Sequence, residues 1–124
     1  MAKKTLTKKE RKLIERLIEA GLSKNVAKTL VYVGGKDETK SREIEEATSL
    51  RQPEVSIAMQ ELRERGWVTK RDIKKEGKGR PVHAYSLDKP MKKIIEEIEE
   101  EQIERIEEIE ENTQMIKKLA GSAF

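Results

Sequence analysis

The chain has no cysteine and only one histidine, His83, in 124 residues. Disulfide frameworks, thiolate metal sites and thiol catalysis are excluded, as are metal sites that need several imidazoles, and a catalytic triad would have to be built around that one residue. Long hydrophobic runs are also missing. No stretch approaches the roughly 18 apolar residues that a bilayer crossing needs, and Met1-Ala2-Lys3-Lys4-Thr5 lacks the apolar stretch of a secretory leader. The expectation is a cytoplasmic chain with no membrane partner. Aromatic residues are scarce, and two of them, Trp67 and Tyr85, fall at strand spacing, which suits packing better than stacking platforms for bases. These absences point away from an enzyme, and neither a cofactor nor a metal is expected.

Charge, by contrast, is abundant. Charged residues make up 41% of the chain against 35% hydrophobic, and the mean hydropathy is −0.82, so apolar residues must sit at chosen positions to form any core. The formal charge of +3 conceals a division: residues 1–93 carry 24 Lys and Arg against 14 Asp and Glu, and residues 94–124 carry 3 against 10. A basic body followed by an acidic segment suggests polyanion binding by the first and a role away from the polyanion for the second. The alternative is a densely charged surface that happens to segregate.

Thr7-Lys8-Lys9-Glu10 has the spacing of a capping box, and a helix follows with Leu13, Ile14, Leu17 and Ile18 on one face up to Gly21. Ser23 caps a second helix, with a buried stripe of Val26, Ala27, Leu30, Val31 and Val33, until Gly34-Gly35-Lys36-Asp37 breaks the pattern. A short third helix begins with Ser41 as its cap, Glu43 in its first turn, and Ile44 and Ala47 facing inward. After a tight turn carrying Leu50, Gln52-Pro53 opens a fourth helix, because a proline in the first turn gives up an amide that has no partner there. Its inward face is Val55, Ala58 or Met59, and Leu62, with Gly66 as the stop. Arg51, Gln52, Glu54, Ser56, Ile57 and Gln60 are left on or near its outward side.

From Trp67 the period changes to two. Residues 67–73 and 82–87 read as strands joined by Lys74-Lys75-Glu76-Gly77-Lys78-Gly79-Arg80-Pro81, a hairpin with a charged tip. A long helical pattern then runs from Lys89-Pro90 to about Leu119, with residues 121–124 expected to fray. Residues 95–105 are matched at their start by residues 106–116, an eleven-residue period that implies straight or slightly right-handed packing. Met91, Ile95, Ile98, Ile106, Ile109 and Ile116 make one narrow apolar seam that needs a partner, either a second chain or the protein's own body.

The expected fold is mainly α with a small β-hairpin: a domain over residues 1–89, then a coiled-coil-like helix over residues 90–120. This order of helices and basic hairpin is that of a winged helix-turn-helix, and the sequence resembles the ArsR/MarR/TrmB group of transcriptional regulators over roughly residues 7–88. The stretch from Gly21 to Lys28 looks like the opening of TrmB-like archaeal regulators, and the stretch from Leu50 to Val68 is similar to the recognition helix and first wing strand of ArsR-like proteins.

The resemblance implies a homodimer that places the fourth helix of each protomer in the major groove of double-stranded DNA and the hairpin against the adjacent backbone or minor groove. Gln52, Ser56 and Gln60 can exchange hydrogen bonds with base edges, Arg51 suits guanine or phosphate, and Ile57 suits a thymine methyl. Glu54 has three possible roles: accepting from cytosine, holding Arg51, or complementing the helix dipole. Ser41 and Arg42 at the start of the third helix, with Lys70, Arg71, Lys74, Lys75, Lys78 and Arg80 of the wing, are the candidate phosphate contacts, although lysines on an exposed hairpin also discourage edge-to-edge aggregation.

Metal-sensing ArsR proteins use cysteine or histidine clusters, which this chain lacks. Sugar-sensing TrmB proteins carry a large effector domain where this chain has one helix, so no small-molecule effector is implied. Gly34-Gly35-Lys36 is a turn rather than a phosphate loop, having neither the following Ser or Thr nor the earlier glycine. The competing function is a winged-helix module for protein interaction or for architectural DNA binding.

Overall fold

The capping box at the amino end forms as its spacing predicts. In the computed structural model, which describes residues 5–73 and 82–124, the Glu10 amide donates to Thr7 Oγ1 at 3.1 Å and the Thr7 amide donates to Glu10 Oε1 at 2.8 Å. Helix α1 (Lys8–Glu19) follows. It buries a narrower stripe than the sequence suggests: Ile14 and Leu17 are buried, but Leu13 and Ile18 remain 37% and 38% exposed. The reason is that α1 packs chiefly on one neighbour, α2 (Lys24–Gly34), so only the residues along that contact leave water.

Helix α2 is the centre of the core. Ser23 Oγ accepts the Val26 amide at its start, and Val26, Ala27, Thr29, Leu30, Val31, Tyr32 and Val33 are all buried, because α1, α3, α4 and β3 surround the helix. Its last residue, Gly34, lies so close to Met91 Cε that a β-carbon there would collide. The glycine therefore marks a close approach as well as a helix end.

A two-residue strand, β1 (Thr39–Lys40), precedes α3 (Ser41–Thr48). Such a strand is too short to carry a period, and the sequence does not predict it. It also corrects the capping of α3. Lys40 occupies the cap position without a side-chain bond, and Ser41 is already inside the helix, because pairing with β3 holds Lys40 extended up to the first helical residue. Thr39 Oγ1 instead donates to Glu43 Oε2 at 3.3 Å.

The turn after α3 is fixed by Thr48, whose hydroxyl donates to the Ile44 carbonyl at 2.6 Å and accepts the Leu50 amide at 3.4 Å. Between them Ser49 takes a left-handed conformation, φ 61° and ψ 22°. Helix α4 (Gln52–Glu64) follows, with Pro53 in its first turn and with Val55, Ala58, Met59 and Leu62 all buried. Gly66, at φ 75°, ends it and lets the Trp67 amide return to the Leu62 carbonyl at 3.0 Å.

Strands β2 (Val68–Ile73) and β3 (Val82–Leu87) complete an antiparallel sheet of order β1-β3-β2. The whole is a winged helix: a helical core with a small antiparallel sheet. Register sorts the side chains of the wing. Val68, Lys70 and Asp72 lie opposite Leu87, Tyr85 and His83 on one face; Thr69 and Arg71 lie opposite Ser86 and Ala84 on the other. The tip residues Lys74, Lys75, Lys78 and Arg80 lie outside the described residues.

The chain divides into two units, residues 1–91 and residues 92–124. Helix α5 (Met91–Ala123) supplies the second. It extends through Gly121 and Ser122 to Ala123, so residues 121–123 are helical rather than frayed. Among the described residues, no helix is long and apolar enough to cross a membrane.

Candidate nucleic-acid interface

The amino end of α4 is anchored by a carboxylate. Arg51 is the cap residue, and its amide donates to Glu54 Oε1 at 2.9 Å; an arginine side chain has no acceptor with which to return the bond. The second oxygen of Glu54 accepts from Asn25 Nδ2 of α2 at 3.4 Å. Glu54 thus has both oxygens engaged within the protein, one of them by the Arg51 amide at the helix start. The spacing of a cap followed three residues later by glutamate is the sequence signal for this arrangement.

With the start of α4 fixed, Arg51, Gln52, Ser56, Ile57 and Gln60 are all exposed, and Ile57, at 69% exposure, is an apolar side chain standing among polar ones. Ser56, Met59, Gln60, Arg63 and Glu64 follow helical spacing along one side of α4. They face Lys70, His83 and Tyr85 of the wing across a groove of about 530 Å³. The structure therefore brings together Ser56, Gln60 and Lys70 from the sequence expectations. It adds Arg63 and His83, neither of which is among the expected site residues. Gln52 and Ile57 are exposed on α4 without lining this groove.

Arg71, one residue from Lys70, belongs to the opposite face of the wing. Its guanidinium makes a two-pronged contact with the Glu38 carboxylate, Nη2 to Oε1 at 2.7 Å and Nε to Oε2 at 3.1 Å. The register explains the geometry: Arg71 pairs with Ala84, and Ala84 in turn pairs with Lys40. To reach Glu38, Arg71 must cross the middle strand at the small side chain of Ala84, which is only 1% exposed. The hydrogen bonds from Arg71 hold the Glu38 carboxyl below its usual range, and those to Glu38 raise the guanidinium above its own. Thirty-three residues separate the two partners, so no local pattern in the sequence links them.

On the groove face His83 Nδ1 lies 2.7 Å from Asp72 Oδ1. Arg42, on α3, is highly exposed and has Glu46 one turn away at 3.8 Å; Ser41 is partly covered. Arg65, at the end of α4, stacks over the buried Trp67 ring at 4.6 Å, which ties the base of the wing to the helix.

In α5 only Ile94 and Ile98 are buried; every residue from Glu99 to Phe124 is exposed. Of the expected seam, Ile98 is 4% exposed, whereas Ile95, Ile106, Ile109 and Ile116 are 38%, 54%, 59% and 57% exposed. Met91, intermediate in exposure, sits against Gly34. Of that seam Ile95, Ile106, Ile109 and Ile116 remain available, with Ile98 already out of water.

No protein-family model matches the sequence, and no curated protein matches it. Solved structures do resemble the fold. One is TrmBL2, an archaeal chromatin protein described as showing a novel mode of DNA binding: TM-score 0.65 and 17% identity over 88% of this chain. This chain spans 39% of the TrmBL2 chain. Another is NadR in complex with 4-hydroxyphenylacetate: TM-score 0.51 and 20% identity, covering 92% of this chain and 80% of NadR. At these identities the likeness is one of fold.

Proposed function

We propose that this protein is a sequence-specific regulator that binds double-stranded DNA as a homodimer, without catalysis. The observation that carries the reading is the exposed row on α4, Arg51, Gln52, Ser56, Ile57 and Gln60, presented by an anchored helix start beside a basic wing. The amino-terminal half of such a helix is what enters the major groove in this motif. Gln52 and Gln60 can each pair with adenine, Arg51 can pair with guanine or phosphate, and Ile57 can cover a thymine methyl. Ser41, Arg42, Lys70 and the tip residues Lys74, Lys75, Lys78 and Arg80 act on the phosphates. On this reading Arg71 serves its pair with Glu38 and Glu54 serves the helix start.

Dimerisation is assigned to Ile95, Ile106, Ile109 and Ile116 of α5. Their stripe on an acidic helix recurs with the eleven-residue repeat, and each isoleucine buried by a second copy removes apolar surface from water. The occupancy of a promoter region, blocking or recruiting the transcription machinery, is the mechanism that follows.

A second reading is favoured by one observation: the neighbour TrmBL2 is a chromatin protein. On that reading the wing and α4 bind DNA with little base preference. Selection of genomic fragments at near-physiological salt separates the two. Enrichment of one near-palindrome supports the regulator, uniform retention supports the architectural protein, and no retention of DNA points to a protein-interaction module.

A further inference from the structure

The groove between α4 and the wing holds the only histidine of the chain, and the geometry points to a use for it: we infer that Arg63, Lys70 and His83 form a seat for one DNA backbone phosphate, and that protonation of His83 completes it. The inference rests on the DNA-binding reading above. It concerns a contact additional to the exposed row of α4 and to the wing tip.

Three features converge. First, the groove is lined from one side by Ser56, Gln60 and Arg63 and from the other by Lys70 and His83, all of them hydrogen-bond donors in at least one protonation state. Second, neither Arg63 nor Lys70 forms an ion pair among the described residues, in contrast to Arg71 on the other face of the wing. Third, the imidazole is oriented. His83 Nδ1 lies 2.7 Å from Asp72 Oδ1, and an ionised carboxylate can only accept, so Nδ1 must carry a hydrogen.

That bond decides what the other ring nitrogen does. In the neutral ring Nε2 is left with a lone pair, which repels a phosphate oxygen; in the protonated ring Nε2–H becomes a donor, and Asp72 balances the charge from behind. Among the described residues, the charged or titratable groups that line the groove with the ring or bond to it are Asp72 and Lys70 on β2, Tyr85 on β3, and Arg63 and Glu64 on α4. Glu64 accepts from Gln60 Nε2 at 3.4 Å, which keeps its carboxylate engaged along α4. Arg63 and Lys70 therefore build part of the seat whatever the state of the ring, and the protonated ring adds a third donor. The sign follows: DNA affinity is higher with the ring protonated and falls as rising pH removes that proton.

The test uses the full chain and a labelled duplex at fixed ionic strength. Between about pH 7.5 and about pH 5.5, wild-type affinity should rise roughly three- to tenfold. His83→Gln should show no such rise; because the chain has no other histidine, the difference between the two proteins isolates this ring. The imidazole proton resonances of the wild type, followed by NMR, supply a readout that needs no variant. Adding duplex should raise the midpoint of their titration by about 0.5–1 pH unit, the reciprocal of the affinity change. If duplex binds with the same pH ratio in both proteins, or leaves the NMR midpoint in place, the phosphate seat is overturned while the DNA-binding reading stands. If no duplex binds at either pH, the DNA-binding reading itself fails, and the seat with it.

Discussion

Lys70 and Arg71 are adjacent cations on the same strand, and the proposed DNA-binding role assigns them different behaviour. Lys70 faces the groove beside α4, whereas Arg71 crosses Ala84 to hold Glu38 through contacts of 2.7 and 3.1 Å. Replacing either with alanine removes one positive charge, so a response to net charge alone would be the same for both. A response to phosphate contacts would not. Each neutralised phosphate contributes about 0.9 to the slope of log affinity against log salt, so between about 0.1 M and 0.3 M salt one contact accounts for about a 2.7-fold difference. Lys70→Ala should flatten the slope by up to that amount, less where Arg63 keeps the shared phosphate, and Arg71→Ala should leave it unchanged, with a modest loss of affinity at every salt concentration. The double variant Glu38→Gln/Arg71→Ala restores the net charge and should recover most of that loss. Fluorescence anisotropy on a labelled duplex across a salt series measures all four proteins. Because Arg71 keeps the Glu38 carboxyl below its ordinary range, the contribution of the clamp is fully present above that range and is lost as pH falls through the lowered value. Equal flattening by Lys70→Ala and Arg71→Ala would show that Arg71 leaves Glu38 for phosphate, and the argument from strand faces would fail.

Ser56→Ala and Gln60→Ala should relax base preference, by about 1–3 kcal/mol for each good base pairing removed, while binding to random duplex changes little; a selection on randomised sites measures this. Glu54→Ala should lower stability by about 1 kcal/mol in urea titration by removing the helix cap, and Glu54→Gln should recover part of it. Ser49→Gly should raise stability by up to about 1 kcal/mol, because the left-handed conformation at φ 61° costs serine more than glycine; a lower melting temperature would refute it. Ile106→Lys/Ile109→Lys should give a monomer in light scattering without a change in the melting of the first unit, since both side chains are more than half exposed in the single chain.

Much of the helical part of the fold is legible in the sequence because α1, α2 and α4 carry their own punctuation. The capping pair Thr7 and Glu10, the cap Ser23, Pro53 in the first turn of α4 and Gly66 after it all act within four or five residues, the range over which a sequence pattern can be read. What is not legible depends on partners distant in the chain. Strand β1 exists because Thr39 and Lys40 meet Tyr85 and Ala84, and two residues cannot announce a period. Leu13 and Ile18 satisfy the helical period as well as Ile14 and Leu17 do, yet they stay half in water, because periodicity tells which side of a helix is apolar and not how wide its neighbour is.

The same distinction governs the candidate interface. Charge and hydrogen-bonding capacity belong to residue types and can be counted along the chain, which is why the row on α4 and the basic wing are visible in the sequence. Availability is a property of pairs. Arg71 and Glu54 have the right chemistry for phosphate and for cytosine, and the fold engages both elsewhere, one across the sheet and one at a helix start. His83 reads in sequence as an ordinary strand residue, and only the register that places it opposite Asp72, together with the helical spacing that lines Arg63 beside Gln60, turns it into part of a groove. In this wing one strand carries both kinds of residue: Arg71, which has the chemistry of a phosphate contact, is paired with Glu38, while its neighbour Asp72 orients a ring that the sequence does not mark.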